Sequence, residues 1–81
     1  MKYLVPVLER HDTDGQIKPV MIYCDNGKTL QIDKIIDIRP AASLKSGGLD
    51  MRYICRVKGW VYCFYDEGGV WFVEKVRLLN V

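Results

Sequence analysis

Hydrophobic and polar residues alternate along residues 49–76, and two glycine turns divide this stretch into three predicted strands. A turn on Lys58-Gly59 predicts the first hairpin, because glycine at the second position suits a type I′ turn. Side chains alternate between the two faces of a strand, so the turn also fixes which residues share a face. We expect one face, wholly apolar or aromatic, to be buried: Tyr53, Cys55, Val57, Trp60, Tyr62 and Phe64.

The opposite face of this hairpin combines cations with scattered apolar side chains. Its members form the candidate binding face: Arg52, Ile54, Arg56, Lys58, Val61 and Tyr65. Cations beside an aromatic ring are what small barrels use to bind single-stranded nucleic acid. Apolar residues among charges are equally typical of a protein interface. A solvated, solubilising sheet face has the same pattern.

The sequence continues through DEGG into VWFVEKV, a turn between two apolar runs that predicts a second hairpin. The register of this hairpin is open. A four-residue loop places Trp71 opposite Phe64 and extends the buried face. A two-residue loop on the glycines pairs Tyr65 with Phe72 instead.

The first quarter of the chain predicts two strands separated by a turn. Residues 2–10 are rich in β-forming residues, but Pro6 interrupts them. Because proline cannot donate to a sheet ladder, we expect an edge strand or a bulged strand there. Residues 11–16 (HDTDGQ) form a turn, and residues 17–24 form the next strand.

An Asn-Gly pair at positions 26–27 is the strongest short hairpin signal in the chain, and we expect a type I′ turn. The return strand, residues 29–39, alternates with period two except at Lys34 and Ile35. Its length predicts a strand that bends between two sheets. Residues 40–48 (PAASLKSGG) predict a loop, within which a short helical turn at residues 41–45 is an alternative. Residues 77–81 complete the sheet or pack against the first strand.

Together these elements predict an all-β fold in a single domain, residues 1–81. We expect a small antiparallel meander of five to six strands that closes into an SH3-like or OB-like barrel. Closure buries the apolar face and removes long exposed edges. A chain of 81 residues leaves no room for a second core.

The order IKPVMIYCDNGKTLQIDKIIDIRP, a glycine-rich loop and RYICRVKGWVYCFYDEGGVWFVEKV resembles small bacterial stand-alone β-rich domains. A strand begun by proline, a tight glycine hairpin and a late aromatic strand ending in W-F-V-E recur in those domains. The resemblance covers residues 17–76 and implies the fold. No activity is assigned to such domains, so it implies no site residues.

Composition and charge point to a soluble cytoplasmic protein. The net charge is +2, with acids and bases interspersed, which by itself is no signal for binding a polyanion. We find no signal peptide and no apolar stretch near the roughly 20 residues that span a bilayer, and we expect no membrane partner. Three cysteines are an odd number, unlike a secreted disulfide framework, so we expect reduced thiols.

No catalytic residue, metal ligand or cofactor site is predicted. The segment HDTDG lacks the remaining ligands of a calcium loop. The cysteines have no CxxC spacing for zinc, and Cys55 and Cys63 fall on opposite faces. Asp33 and Asp37 share a face but lie about 13 Å apart in a straight strand, too far to act as a pair. We therefore do not expect an enzyme.

The function predicted from the sequence is a non-catalytic binding or assembly module. Its interface, with a protein partner or with other copies of the chain, is the candidate binding face of the 49–76 sheet. The alternative is a small barrel that binds single-stranded nucleic acid through the same residues.

Overall fold

The computed structural model describes residues 2–42 and 49–75, although the side chains of residues 42, 49 and 75 are not described. Every regular element within these ranges is a β-strand. The strands are β1 (Tyr3–Leu4), β2 (Val7–His11), β3 (Ile17–Tyr23), β4 (Thr29–Gln31), β5 (Lys34–Ala42), β6 (Leu49–Val57), β7 (Trp60–Glu67) and β8 (Val70–Lys75). The all-β prediction is confirmed for the described part of the chain.

The strands form two antiparallel sheets. The larger sheet has the order β1-β8-β7-β6-β5, and the smaller has the order β2-β3-β4. Most neighbours are consecutive in the chain, as in a meander, but β1 pairs with β8 through Tyr3 and Val73. The described residues hold eight strands rather than five or six, because two predicted strands are each divided between the sheets.

The first division is at Pro6. Before it, Val5 N donates to Trp71 O (3.0 Å) in the larger sheet. After it, Pro6 O accepts from Tyr23 N (3.0 Å) in the smaller sheet. Proline has no N–H to donate, and it is tolerated here because the hydrogen-bonded ladder passes from one sheet to the other at this residue. The edge-strand prediction is confirmed, since β1 and β2 each lie at a sheet edge, and β2 also has a bulge after Leu8.

The second division confirms the predicted bend in the long return strand. Ile32 N donates to Val20 O (2.9 Å) in the smaller sheet, and the next amide, Asp33 N, donates to Arg56 O (2.9 Å) in the larger sheet. Shortly afterwards β5 has a bulge between Ile35 and Asp37. The extra residue reverses the alternation, which is why the period-two pattern has an exception there.

The central hairpin has the predicted register. Val57 pairs with Trp60, and the pairing continues to Met51 opposite Asp66. Lys58 and Gly59 both take positive φ (49° and 79°), as a type I′ turn requires. Lysine tolerates this strained conformation with help from outside the hairpin, because its N–H donates to Asp33 Oδ2 (2.7 Å).

The second hairpin has the two-residue loop. Glu67 pairs with Val70, and Tyr65 pairs with Phe72. Gly68 and Gly69 carry positive φ of 66° and 91°. Both residues of a type I′ turn need this conformation, and two glycines adopt it at little steric cost.

The Asn-Gly turn between β3 and β4 corrects one prediction. The hairpin is present, but its loop has three residues, since Cys24 N donates to Lys28 O (2.8 Å) and Gly27 N donates to Cys24 O (3.0 Å). Gly27 has positive φ and Asn26 does not, so the turn is not type I′. Asn26 Oδ1 instead accepts from Lys28 N (3.0 Å), an asparagine turn that favours this longer loop.

The core lies between the two sheets, on the predicted inner face. Tyr53, Cys55, Val57 and Phe64 are at most 2% exposed, and Ile22 and Trp71 join them. Tyr62 is half-buried and packs against this cluster. Trp60 is the exception, at 45% exposed. Its cross-strand partner Val57 is 1% exposed, so a position beside the turn does not by itself account for the exposure of Trp60.

Two predicted segments fall wholly or partly outside the described residues. The predicted loop at residues 40–48 begins later than expected, because β5 includes Pro40, Ala41 and Ala42. Residues 43–48 and residues 76–81 lie outside the described ranges.

Candidate functional site

The structure brings five of the six residues of the candidate binding face together. Arg52, Ile54 and Arg56 alternate along β6, with Tyr65, Cys63 and Val61 directly opposite them on β7. By the same alternation, we define the outer face of the larger sheet as the side chains that point away from the core. Lys58 belongs to the turn and extends the face at one end. The remaining members of the outer face are Leu4, Lys34, Asp37, Arg39, Ala41, Asp50, Glu67, Val70, Phe72 and Glu74.

The centre of the outer face is only partly open to water. Cys63 is only 3% exposed, although it points away from the core. Its direct cross-strand neighbours are Ile54 and Glu74. Ile54, Val61 and Phe72 are all half-buried. A solvated sheet face agrees with Arg56 and Lys58, which are exposed, and agrees less well with this half-buried apolar centre.

Positive charge is concentrated on one side of the outer face. Lys34 lies directly opposite Arg56, and Arg39 lies directly opposite Arg52. Like charges in direct cross-strand pairs are destabilising, so this arrangement works against folding. Asp37 interrupts the row and forms an ion pair with Arg39 (Nε to Oδ2, 2.8 Å). The β5–β6 side of the face therefore carries more positive than negative charge.

Carboxylates lie on the other side of the outer face, around Tyr65. Lys2 Nζ binds Glu67 Oε2 at 2.8 Å and lies 4.1 Å from the centre of the Tyr65 ring. The Tyr65 hydroxyl donates to Glu74 Oε1 at 3.2 Å. The hydrogen bond with Cys63, followed by burial, raises the pKa of Tyr65 well above its usual range. Tyr65 is thus a neutral donor, fixed between a cation and an anion.

Arg52 is the residue of this face whose environment is incomplete. Its Nε atom is buried and has no hydrogen-bond partner in the described part of the chain. A buried donor without an acceptor costs about 1–3 kcal/mol, more when the group is charged. Arg52 as a whole is only half-buried, so part of its side chain is within reach of groups outside the chain.

A second polar cluster was missed by sequence reasoning. Trp71 Nε1 donates to Glu9 Oε1 (2.7 Å), and His11 Nε2 lies 2.8 Å from Glu9 Oε2. The indole hydrogen bond, and then the bond with His11, lower the pKa of Glu9. Glu9 and Trp71 are 62 positions apart, so no local pattern could have joined them. The available signal was a buried tryptophan, whose N–H needs an acceptor.

A cavity of about 270 Å³ opens near this cluster, at one end of the gap between the sheets. The residues that line it come from the β2–β3 turn and from both sheets: Gly15, Gln16, Ile17, Ile38, Met51, Tyr53 and Asp66. The Tyr53 hydroxyl donates to Ile17 O. Asp66 Oδ1 accepts from Gly69 N (2.8 Å). This cavity could not be predicted, because its walls meet only when the two sheets pack.

The other chemical candidates have structural partners. Asp33 accepts from the Lys58 amide, and Asp37 binds Arg39. Two open grooves beside them, of about 170 and 470 Å³, are both lined by Arg10 and Lys18, each of which already contacts Asp12. Within residues 2–42 and 49–75, no three His, Cys, Asp or Glu side chains come together as metal ligands.

The three cysteines are free thiols, as predicted. Cys55 and Cys63 point to opposite faces of the sheet, and both are buried. Burial raises the pKa of Cys55 to about 12 and also raises the pKa of Cys63, so neither is a reactive thiolate at neutral pH.

The described part of the chain contains no helix long and apolar enough to cross a membrane. Comparison with protein-family models, with curated proteins and with solved structures finds no match.

Proposed function

We propose that this protein is a non-catalytic binding and assembly module whose interface is the outer face of the larger sheet. The observation that carries the proposal is Arg52, whose buried Nε has no acceptor on the described chain. Arginine and tyrosine are enriched at the centres of protein interfaces, where they supply both contact area and directed hydrogen bonds. Arg52 and Tyr65 form such a cross-strand pair.

The composition of the outer face supports a protein partner. Its centre is apolar, formed by Ile54, Val61, Cys63 and Phe72, and charges surround it. An apolar centre within a polar rim is the usual anatomy of an interface between proteins. Exposed Leu4, at 68% exposure, and Val70, at 48%, extend the apolar surface toward β1.

The distribution of charge favours a second copy of the chain as that partner. Cations lie toward β5, and the carboxylates Glu67 and Glu74 lie on β7 and β8. A two-fold axis through the apolar centre sets the positive side of one copy against the negative side of the other. In such a dimer a carboxylate of the partner pairs with the half-buried Arg52 side chain.

Sedimentation velocity and light scattering across a concentration series test this proposal. We expect the wild-type mass to rise with concentration and to fall toward the monomer in Arg52→Ala and Ile54→Asp. Lys28→Ala is the matched control, because Lys28 lies in an exposed turn of the smaller sheet. A wild-type chain that stays monomeric at every concentration would refute self-assembly. If that monomer also bound no other protein, the proposal of a binding module would be refuted as well.

A second candidate function, binding of single-stranded nucleic acid, is supported by the opposed cations Lys34 with Arg56 and Arg39 with Arg52. Phosphates between these pairs relieve their mutual repulsion, and Tyr65 is near for base stacking. Fluorescence anisotropy with a labelled oligonucleotide tests it. The expected affinity falls with salt and weakens in folded Arg56→Ala, and an absence of binding at low salt ends this candidate.

We further propose that the two sheets close into one barrel of the SH3-like or OB-like type, in a single domain of the bacterial cytoplasm. The strands that pass between sheets at Pro6 and Asp33 support closure, and the free thiols support a reducing compartment. Amide hydrogen exchange tests closure. Protection of the Val5 and Asp33 amides should equal that of the core strands, and rapid exchange at either would indicate an open sandwich.

A further inference from the structure

In the described part of its lining, the cavity of about 270 Å³ has a single charged residue, and the rest of that lining is uncharged. Most of its lining is apolar or uncharged, with side chains of Ile17, Ile38 and Met51 supplied by three different strands. Asp66 is the one carboxylate among the lining residues. At about 30 Å³ per water molecule, the space corresponds to roughly nine waters, which limits an occupant to a small group.

Among the described residues, no cation forms an ion pair with the Asp66 carboxylate. Its bond within the described chain is with the Gly69 amide, through Oδ1, and no described ion pair includes it. Burial raises the pKa of Asp66, the Gly69 amide opposes that rise, and the nearby charges of Glu9 and Asp50 add to it. Folding thus places a carboxylate beside a partly enclosed apolar space, and none of the described residues that line this space is a cation.

We propose that this cavity binds an alkylammonium group, either of a small amine or of a lysine side chain. The ammonium pairs with the Asp66 carboxylate, and the alkyl chain packs against Ile17, Ile38 and Met51. Tyr53 also lines the cavity, and an aromatic ring provides additional attraction for a cation.

Other ligand chemistries suit the cavity less well. An anion is repelled by Asp66 together with Glu9 and Asp50, the groups whose charges already raise the pKa of Asp66. A divalent metal needs several oxygen, nitrogen or sulfur ligands, and the lining residues offer a single carboxylate. A neutral alcohol fills the space but leaves the negative charge of the Asp66 carboxylate without a positive partner. The site lies on the inner side of the sheet, so this inference is independent of the proposed interface on the outer face.

Titration of ¹⁵N-labelled protein with n-butylammonium chloride, followed by amide chemical shifts, tests the inference. We expect saturable shifts at Gln16, Asp66 and Gly69. The neutral isostere n-butanol should bind at least about tenfold more weakly, since a hydrogen bond to a charged group contributes about 1.5–3 kcal/mol. Equal affinities for the two probes, or no saturable shift with n-butylammonium, would overturn the proposal.

Two variants separate charge from shape. Asp66→Asn keeps an oxygen for the Gly69 amide and removes the charge, and we expect about a tenfold loss of n-butylammonium affinity with n-butanol unchanged. Asp50→Asn removes a neighbouring charge that does not line the cavity, and we expect less than about a threefold loss. Unchanged n-butylammonium binding in folded Asp66→Asn would refute the assignment.

A measurement on the wild-type chain covers the case in which Asp66→Asn does not fold. The carboxyl ¹³C resonance of Asp66 reports its titration, and saturating n-butylammonium should lower its pKa while Glu9 and Asp50 serve as internal references. No change in the Asp66 midpoint contradicts the proposal. N-acetyl-lysine methylamide distinguishes the sources: binding of both probes supports a lysine side chain, and binding of n-butylammonium alone supports a free amine.

Discussion

The hydrogen bond between Trp71 and Glu9 joins the two sheets, and its removal is the sharpest test of the fold. Trp71 is 3% exposed, and its Nε1 donates to Glu9 Oε1 at 2.7 Å. Glu9→Met keeps the length of the side chain but removes the acceptor. The buried indole N–H is then unsatisfied, which costs about 1–3 kcal/mol. Glu9→Gln is the matched control, because its amide oxygen still accepts, and we expect a loss below about 1 kcal/mol.

Urea denaturation followed by tryptophan fluorescence measures this difference. We use a Trp60→Phe background so that the emission comes from Trp71. With a slope of about 1–2 kcal/mol/M, a loss of about 2 kcal/mol lowers the midpoint by about 1–2 M without changing the slope. The melting temperature falls by about 8–16 °C. Equal midpoints for Glu9→Met and Glu9→Gln would refute the reasoning, since the indole bond would then contribute nothing.

The remaining predictions concern the turn, the cavity and the core. Asp33→Ala removes the acceptor of the Lys58 amide and should lower the free energy of unfolding by about 1 kcal/mol, as loss of a cap does, in the same urea assay; an unchanged midpoint would contradict this. Because burial raises the pKa of Asp66 above 3.8, the wild type should gain stability as the pH falls through that raised value. Asp66→Asn should lack this gain and be the more stable chain at pH 7, and parallel acid dependence in both would disprove it. Phe64→Ala should cost about 3–5 kcal/mol, whereas half-exposed Trp60→Thr should cost less than about 1 kcal/mol, as measured by thermal melts; similar losses would show that the burial assignment is wrong.

The fold could be predicted wherever local signals were strong. The register of the β6–β7 hairpin follows from one glycine and from alternation, and the pairing of Val57 with Trp60 agrees with it. The bend in the return strand was visible as an apolar pattern too long for one sheet. The hairpin register and the bend both depend on residues that are close in sequence, where side chains alternate between the two faces of a strand with a period of two residues.

The errors come from interactions between distant residues. Whether Trp60 is covered depends on where the opposing sheet ends, which the hairpin itself does not specify. The bulge between Ile35 and Asp37 is visible in the sequence as an interruption of the alternating pattern. Which residue is the extra one, however, is set by the pairing of β5 with β6. Of the candidate site, five outer-face residues were found from alternation, whereas the buried Cys63 and the cavity beside Asp66 require the assembled sheets.

The pairing of Tyr3 with Val73 has a consequence for synthesis of the protein. A ribosome must release nearly all of residues 3–73 before this ladder can form, so nascent chains hold an incomplete larger sheet until late in translation. Contacts between such distant residues also slow folding. During that interval β7 lacks its β8 neighbour, and a nascent chain that stalls there exposes a strand edge able to pair with another copy.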